Sequence, residues 1–290
     1  MEGDPVLSEA LWRHTSLRVG GIARYWAEPM TLESMRSLVR WAKRQSLRCA
    51  VLGGGTNVVF PDAGYDGLVL HTGALRGRSV GEHGSVRVAA GERLAGIAWW
   101  AARQGLSGLE WAAGIPGTIG GAVTMNAGTR DGQMVERLVS VDWLRADGRV
   151  ESVPAAALGL GYRTSSLQDE TNGAIVVAAT IALDREDPDR CIARARSTIE
   201  ERLGKLPLGA SAGSIFRNPA SGPTAGRLLD DAGCKGLRVG EAVVSSRHAN
   251  VIVNGGTNNG DDVIELIERM KQRVLDASGI KLEEEVVLYT

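Results

Sequence analysis

Apolar residues recur at helical spacing soon after Pro29. In TLESMRSLVRWAKRQ, Met35, Leu38, Val39 and Ala42 fall on one face and Thr31 stands where an N-cap belongs, which predicts a helix. RCAVLGGG reads as a short buried strand running into a glycine turn, and GLVLHTG and GSVRVAAG read as further strands. ERLAGIAWWAARQG predicts a helix stopped by Gly105. In RLVSVDWLRADGRVESV the Asp147-Gly148 pair signals a two-residue hairpin between two strands. GAIVVAATIAL, Gly173 to Leu183, is apolar enough for a buried strand. DPDRCIARARSTIEERLG predicts a helix whose charges, from Arg190 to Arg202, form a solvated face. Downstream come a short helix in TAGRLLDDAG and two strands in AVVSSRHANVIVNGG. A long amphipathic helix follows in DDVIELIERMKQRVLDASG, with Val263, Leu266, Ile267, Met270 and Val274 on one face. Asp261 and Asp262 suit its N-terminal dipole and Gly279 follows its end. EEEVVLY predicts a last strand.

Strands and helices interleave without strict βα alternation, which favours an α+β fold over a doubly wound sheet. Composition shifts at Asp184 to Asp189, a charged stretch containing Pro188, and a domain boundary is expected there. Residues 1–186 then form a first domain with a subdivision near residue 75. Residues 187–280 form a second, and 281–290 a returning C-terminal strand. A chain of 290 residues can bury a large core over two or three such pieces. The net charge of −1 points away from nucleic acid and from membrane surfaces. Cys49, Cys191 and Cys234 are odd in number and widely spaced, and the four histidines show no ligand spacing. Neither a disulfide framework nor a metal site is expected, and a reducing cytoplasm fits. MEGDPVLSEA has no basic start and no apolar run, so no signal peptide is expected, and no stretch approaches 18 apolar residues.

Two stretches have a different texture. GIPGTIGGAVTMNAG, Gly114 to Gly128, holds five glycines in fifteen residues, and VLGGGTNVVF, Val51 to Phe60, lies upstream. Neither is a P-loop and neither carries the Rossmann fingerprint. Two readings are open: scaffold turns, or the halves of one phosphate cradle. Density favours the second, and so do the small polar residues that follow the glycines (Thr56, Asn57, Thr124 and Asn126). Consecutive N–H groups in such turns make anion nests, and a helix N-terminus adds positive charge. Neutral loops of this kind suit a pyrophosphate held close.

Seven motifs in series carry a resemblance. HTSLRVGGIARYWAEP, VLGGGTNVVFPDAGYDGLVL and GLEWAAGIPGTIGGAVTMNAG are followed by GYRTSSL, SAGSIFRNP, VSSRHANVIVN and LEEEVVL. Over about residues 11 to 288 the chain resembles the bacterial UDP-N-acetylenolpyruvoylglucosamine reductases, flavoenzymes of peptidoglycan synthesis. The resemblance implies an FAD-binding domain of the vanillyl-alcohol-oxidase (PCMH) type, followed by a smaller α+β substrate domain. It implies that Gly53, Gly54, Gly55, Thr56 and Asn57 hold FAD. In the second stretch Gly114, Ile115, Pro116, Gly117, Thr118, Gly120, Gly121, Asn126, Ala127 and Gly128 do the same. It also implies a two-step reaction in the cytoplasm: NADPH reduces FAD, and reduced FAD delivers hydride to the enolpyruvyl group of a UDP-sugar. The partners implied are small molecules, with no nucleic acid and no membrane, and the chain is expected to be a monomer.

Charge then builds on the substrate carboxylate and the adjacent carbon takes a proton. The motifs place the proton donor at Ser214 in AGSIF, the carboxylate partner at Arg163 in GYRTS, and the third member at Glu285 in LEEEV. The planar fork of an arginine can engage both carboxylate oxygens, which lysine cannot match. On strand alternation alone Glu283 and Glu285 share a face, so the pattern does not choose between them. Tyr162, Lys205 and Asn218 correspond to substrate-binding positions. His248 is expected to be structural, and Trp99, Trp100 and Trp111 to belong to the core. GTRDGQM, Gly128 to Met134, departs from the family, which commonly has an aromatic and a further glycine there. With 51 positions between Arg163 and Ser214 there is no room for the extra loop of some members, which marks a compact branch. Two rivals remain on the sequence: an oxidase of the same fold that anchors flavin covalently, with His71 near the first loop, and a catalytically silent nucleotide sensor.

Overall fold

The computed structural model describes residues 5–169, 173–203, 207 and 209–289. They form two compact units. The first holds the chain up to Val6, Tyr25–Gly54 and Gly67–Leu203; the second holds Leu7–Arg24, Gly55–Asp66 and the described residues after Leu203.

Helix α1 (Leu32–Arg44) opens the first unit, capped by a reciprocal box in which Thr31 and Ser34 each accept the other's backbone N–H. Its buried face, Met35, Leu38, Val39 and Ala42, packs on Leu68 and Leu70 of the strand Tyr65–His71. That strand pairs in parallel with Arg48–Leu52. The latter was expected to be buried, but it is an edge strand, with Ala50 and Leu52 inward and Val51 exposed. A five-stranded antiparallel sheet makes the second layer, in the order Val150–Pro154, Leu138–Leu144, Ile175–Ala182, Ser85–Ala89, Arg78–Val80. The apolar run 175–182 is its central strand. The hairpin at Asp147-Gly148 has a three-residue loop rather than two. Arg145 N–H bonds Arg149 O, Gly148 N–H returns to Arg145 O, and Gly148 takes φ 85°.

Helices α2 (Leu94–Arg103), α3 (Ile119–Thr124) and α4 (Pro188–Leu203) cover this sheet and share its core. The unit continues through the charged stretch 184–189 and includes α4, because Ala195 and Ile199 enter the core and Arg194 reaches Glu110. The charged face of α4 is therefore only partly solvated: Arg190 is open, while Arg194 and Arg202 lie against protein. Trp111 is core, and Trp99 and Trp100 border it beneath Arg103 and Arg78.

The second unit is built on α5 (Ala225–Asp231) and α6 (Gly260–Ser278) with a three-stranded antiparallel sheet, Arg238–Val239, Ala242–Val244 and Ile252–Asn254. Asn259 caps α6 and Gly279 ends it at φ 69°. The five predicted apolar residues of α6 are all fully buried. The predicted last strand is two residues long, Val287–Leu288, parallel to Val58–Val59. Its upstream half pairs elsewhere, as Arg217 N–H bonds Glu283 O and Phe216 bridges Glu284.

One ion-pair cluster sets the acid limit of the first unit. Arg194 donates to Glu110 Oε1 at 2.6 Å and to Glu186 Oε2 at 2.7 Å. Burial pushes the Glu110 carboxyl up, but hydrogen bonds from Arg194 and from Gly108 N–H hold it net below its ordinary value. The Arg194 hydrogen bond lowers Glu186 from 4.5 to about 2. Carboxylates depressed in the folded state bind fewer protons than in the unfolded chain, so they stabilise above pH 4.5 and that contribution fades as pH falls towards 2. We expect Arg194→Gln to lower stability at pH 7, by less than loss of a fully buried pair because Arg194 is partly open. We also expect it to flatten stability against pH between about 5 and 2, as read by urea unfolding at each pH.

Candidate active site

Within the first unit the two glycine stretches meet at Gly53 and Gly54; Gly55 and the residues after it belong to the second unit. A Cβ on Gly54 would sit 2.9 Å from Gly117 Cα, and one on Gly53 would run into Thr118 Oγ1. Bare main chain is therefore required first for loop against loop. Gly120 is similar: its Cβ would press on Ala90 at 3.0 Å, and its N–H bonds Ala90 O. Ile119 N–H bonds Glu92 O, so the first turn of α3 spends its N–H groups on the neighbouring chain. The groups left over lie just before the helix. Among the described residues the N–H groups of Gly117 and Thr118 have no acceptor, and the same holds along Gly54, Gly55, Thr56 and Asn57. Unpaired N–H groups in succession are what an anion nest consists of. Pro116 and Gly121 are exposed beside them, and Ile115 and Ala127 are half-buried.

At its C-terminal end α3 holds the turn Gly161–Thr164. Asn126 is buried at φ 40°; its Nδ2 donates to Gly161 O at 2.7 Å and its Oδ1 accepts from Val135 N–H at 3.0 Å. Ser165 Oγ donates to Thr124 O at 2.6 Å, and Gln168 Nε2 donates to Thr124 O and Arg163 O, both at 3.0 Å. Gly161 and Thr164 close a two-residue loop that puts Arg163 at φ 55°, a conformation costly for a side chain with a Cβ. Arg163 Nη2 donates to Gly128 O at 2.6 Å, and its guanidinium lies 5.2 Å from the ring of Tyr162, itself half exposed. A strained arginine tied to the end of the second glycine stretch is a built feature.

Ser214 and Glu285 come together in the second unit. Glu285 N–H bonds Ile215 O at 2.7 Å and Val286 N–H bonds the same oxygen at 3.2 Å. Asn57 Nδ2 donates to Glu285 O at 3.0 Å, which fastens the end of the first glycine loop to the LEEEV segment. The two glutamates differ in burial: Glu283 is exposed, Glu285 half-buried. Between them, Glu284 takes Lys271 Nζ at 2.6 Å. The HTSLRVGG motif backs the same loop, since Ser16 N–H bonds Gly55 O at 2.8 Å and a Cβ on Gly55 would strike His14 O.

Asn250 was not singled out by the sequence. It is buried; its Oδ1 accepts from Phe216 N–H at 2.9 Å, its Nδ2 donates to Phe216 O at 2.8 Å, and its own O accepts from Ile215 N–H at 2.9 Å. The side chain thus acts as a strand partner for the segment after Ser214. His248 Nδ1 accepts from Asn250 N–H at 3.2 Å. Asn218 is exposed and its Oδ1 accepts from Ala225 N–H at the start of α5. Lys205 lies outside the described residues. His71 packs on Trp26 and faces Glu28 Oε1 at 3.2 Å. Glu110, Glu186 and Cys191 cluster closely enough for a metal, but the Arg194 guanidinium already takes both carboxylates. Among the described residues no helix is long and apolar enough to cross a membrane.

Comparison with known proteins agrees in both units. The profile of an FAD binding domain matches residues 23–154, and that of the UDP-N-acetylenolpyruvoylglucosamine reductase C-terminal domain matches 201–289. The UDP-N-acetylenolpyruvoylglucosamine reductase of Chloroflexus aurantiacus is 40% identical over 283 residues, covering 96% of this chain and 95% of that one. The Synechocystis enzyme of the same name is 42% identical over 96% of this chain and 88% of its own. The crystal structure of the Thermus caldophilus reductase superposes with a TM-score of 0.83 at 36% identity, over the full length of both chains. The α+β fold with an FAD-binding domain is thereby established, and the chain belongs to the UDP-N-acetylenolpyruvoylglucosamine reductase family.

Proposed function

We propose that this chain is an FAD-dependent oxidoreductase that uses NADPH to reduce the enolpyruvyl group of UDP-N-acetylglucosamine enolpyruvate, giving UDP-N-acetylmuramate for peptidoglycan synthesis. The observation that carries the reading at the site is the backbone pairing of Glu285 and Val286 with Ile215, which sets Glu285 beside Ser214. In this reading the first unit, through α4 to Leu203, serves the flavin, the described residues after Leu203 serve the substrate, and 281–290 return to the site. The protein works as a cytoplasmic monomer.

The unpaired N–H groups of Gly54 to Asn57, and of Gly117 and Thr118, fit the diphosphate of a flavin dinucleotide. They are neutral donors on main chain that side chains cannot crowd. Thr118 and the glycines of both loops hold the cofactor; Asn126, with both ends of its amide on main chain, keeps the frame in place. When bound, FAD takes a hydride from NADPH and supplies one to the terminal carbon of the substrate double bond.

The chain's own residues handle the charge and the proton. Arg163 pairs with the substrate carboxylate and stabilises the enolate-like charge that grows there. A preorganised donor of this kind is worth about 3–4 kcal/mol in the transition state. Its strained backbone, pinned by Gln168 and Asn126, fixes its aim before substrate arrives. Ser214 Oγ gives its proton to the carbon that bears the carboxylate. A hydroxyl is a weak acid in water, so this transfer needs a strongly basic carbon partner and fixed geometry. Glu285 completes the group from the neighbouring segment, and Tyr162, Asn218 and Lys205 bind the sugar nucleotide.

Two outcomes test these assignments. Ser214→Ala leaves reduction of bound FAD by NADPH near the wild-type rate but slows turnover of the enolpyruvyl nucleotide roughly 10²- to 10⁴-fold in stopped-flow. Equal loss in both half-reactions would make Ser214 a flavin or folding residue. Asn250→Ala strands Phe216 N–H and O and costs about 3 kcal/mol in urea unfolding. It also slows the second half-reaction about 10²-fold with the first unchanged, because Ser214 loses its aim.

A further inference from the structure

Three glutamates in a row, Glu283 to Glu285, run past the Ser214 segment, and their composition does not say which of them faces it. The ladder that holds them is short. Arg217 N–H bonds Glu283 O and Phe216 bridges Glu284, and then the pairing becomes irregular. Glu285 N–H and Val286 N–H converge on Ile215 O, which is the two-against-one pattern of a β-bulge. A bulge bends its strand and re-aims a side chain, so Glu285 stands where the ladder constrains it least. Leu282 and Val286 anchor the two ends in the core that they share with Met270 and Val274 of α6. Apolar burial is non-directional, so it does not fix how the chain turns between those anchors.

A directional contact falls between them. Glu284 Oε1 accepts from Lys271 Nζ of α6 at 2.6 Å, and the two side chains are only 27% and 23% exposed. Lys271 stands one turn after Ile267 and one before Val274, at the rim of the buried face of α6. Its second partner, Glu268 at 2.9 Å, is 59% exposed and lies three residues back on the same helix, so that bond ties α6 to nothing else. The hydrogen bond to Glu284 outweighs burial and holds the Lys271 ammonium above its ordinary value, so it is a cation throughout the neutral range. A charge-assisted bond between two segments has a preferred length and direction, which apolar packing lacks. Slipped by one residue, the strand would offer Lys271 a different glutamate and move the bulge away from Ile215.

We infer that Lys271 is a positioning residue for the second half-reaction. By taking the middle glutamate of the three, it selects the register in which Glu285 stands at the bulge opposite Ile215 and beside Ser214. The inference rests on the roles proposed above for Ser214 and Glu285.

The test uses the full-length, FAD-loaded protein and the variants Lys271→Met, Lys271→Arg and Glu284→Gln, with urea unfolding to choose a temperature at which each is folded. The two half-reactions are followed separately in stopped-flow. Lys271→Met leaves FAD reduction by NADPH near the wild-type rate and slows reoxidation by the enolpyruvyl nucleotide about 10²-fold, the loss that goes with a misplacement of about 1 Å. The loss falls on kcat, with KM for the nucleotide within about threefold of wild type, because substrate contacts are untouched. Lys271→Arg restores most of the rate. Glu284→Gln slows the same step about tenfold, since an amide oxygen still accepts from Lys271 but without the charge. The double variant Lys271→Met/Glu284→Gln is no slower than Lys271→Met, because both changes break one contact. Should Lys271→Met not fold, the nearly isosteric Glu284→Gln decides alone. Reoxidation at the wild-type rate in folded Lys271→Met, or in Glu284→Gln, would overturn the inference. So would equal loss in both half-reactions or a loss that arginine does not mend, either of which marks a role in folding. Wild-type protein whose reduced flavin the nucleotide does not reoxidise would instead overturn the proposed function.

Discussion

Everything at the flavin side of this molecule depends on two loops approaching closer than side chains permit. Gly54 faces Gly117 and Gly53 faces Thr118 Oγ1, main chain against main chain or hydroxyl. Any Cβ at Gly54 would part the loops or strain them, and overpacking of this kind typically costs about 1–3 kcal/mol. The contact leaves a row of N–H groups with no acceptor among the described residues, which is tolerable in a folded protein only if water or a ligand supplies one. The glycines are thus explained in two stages. The protein's own packing demands them, and in the proposed reading the donors that this packing leaves free serve the dinucleotide.

Two asparagines do for the proposed substrate-handling residues what the glycines do for the proposed cofactor loops. Asn126 ties the Arg163 turn to the end of α3, and Asn250 acts as a strand partner for the segment after Ser214. Each amide offers one donor and one acceptor in a plane, which copies a backbone peptide. Each holds a loop where no regular ladder reaches. In the proposed reading, positioning at the site comes from buried amides rather than from regular secondary structure, and a shift of about 1 Å at a catalytic group costs about 10²-fold in rate.

Much of this was legible in the sequence, for identifiable reasons. The helices α1, α2 and α6 announce themselves because period, cap and stop agree, as with Thr31, Gly105 and Gly279. The central strand 175–182 is apolar on both faces because both are covered. Local pattern misread what depends on distant chain. Arg48–Leu52 has the composition of a buried strand but sits at a sheet edge. EEEVVLY pairs along only two residues because its first half serves the Ser214 segment. The site motifs pointed to Arg163, Ser214 and Glu285, yet nothing local marks Asn250 or Gln168. Their partners are thirty-four and five residues away, at Phe216 and Arg163. A buried-amide hub leaves no periodic signal.

The central claim is that main-chain N–H groups of the two glycine loops, rather than side-chain charge alone, hold the flavin diphosphate. Amide hydrogen exchange on apoprotein with and without FAD reads those groups individually. Binding should slow exchange at Gly54 to Asn57 and at Gly117 and Thr118, because each acquires an acceptor. FAD that binds tightly while those six amides exchange as fast as before, with protection confined to other segments, would contradict it.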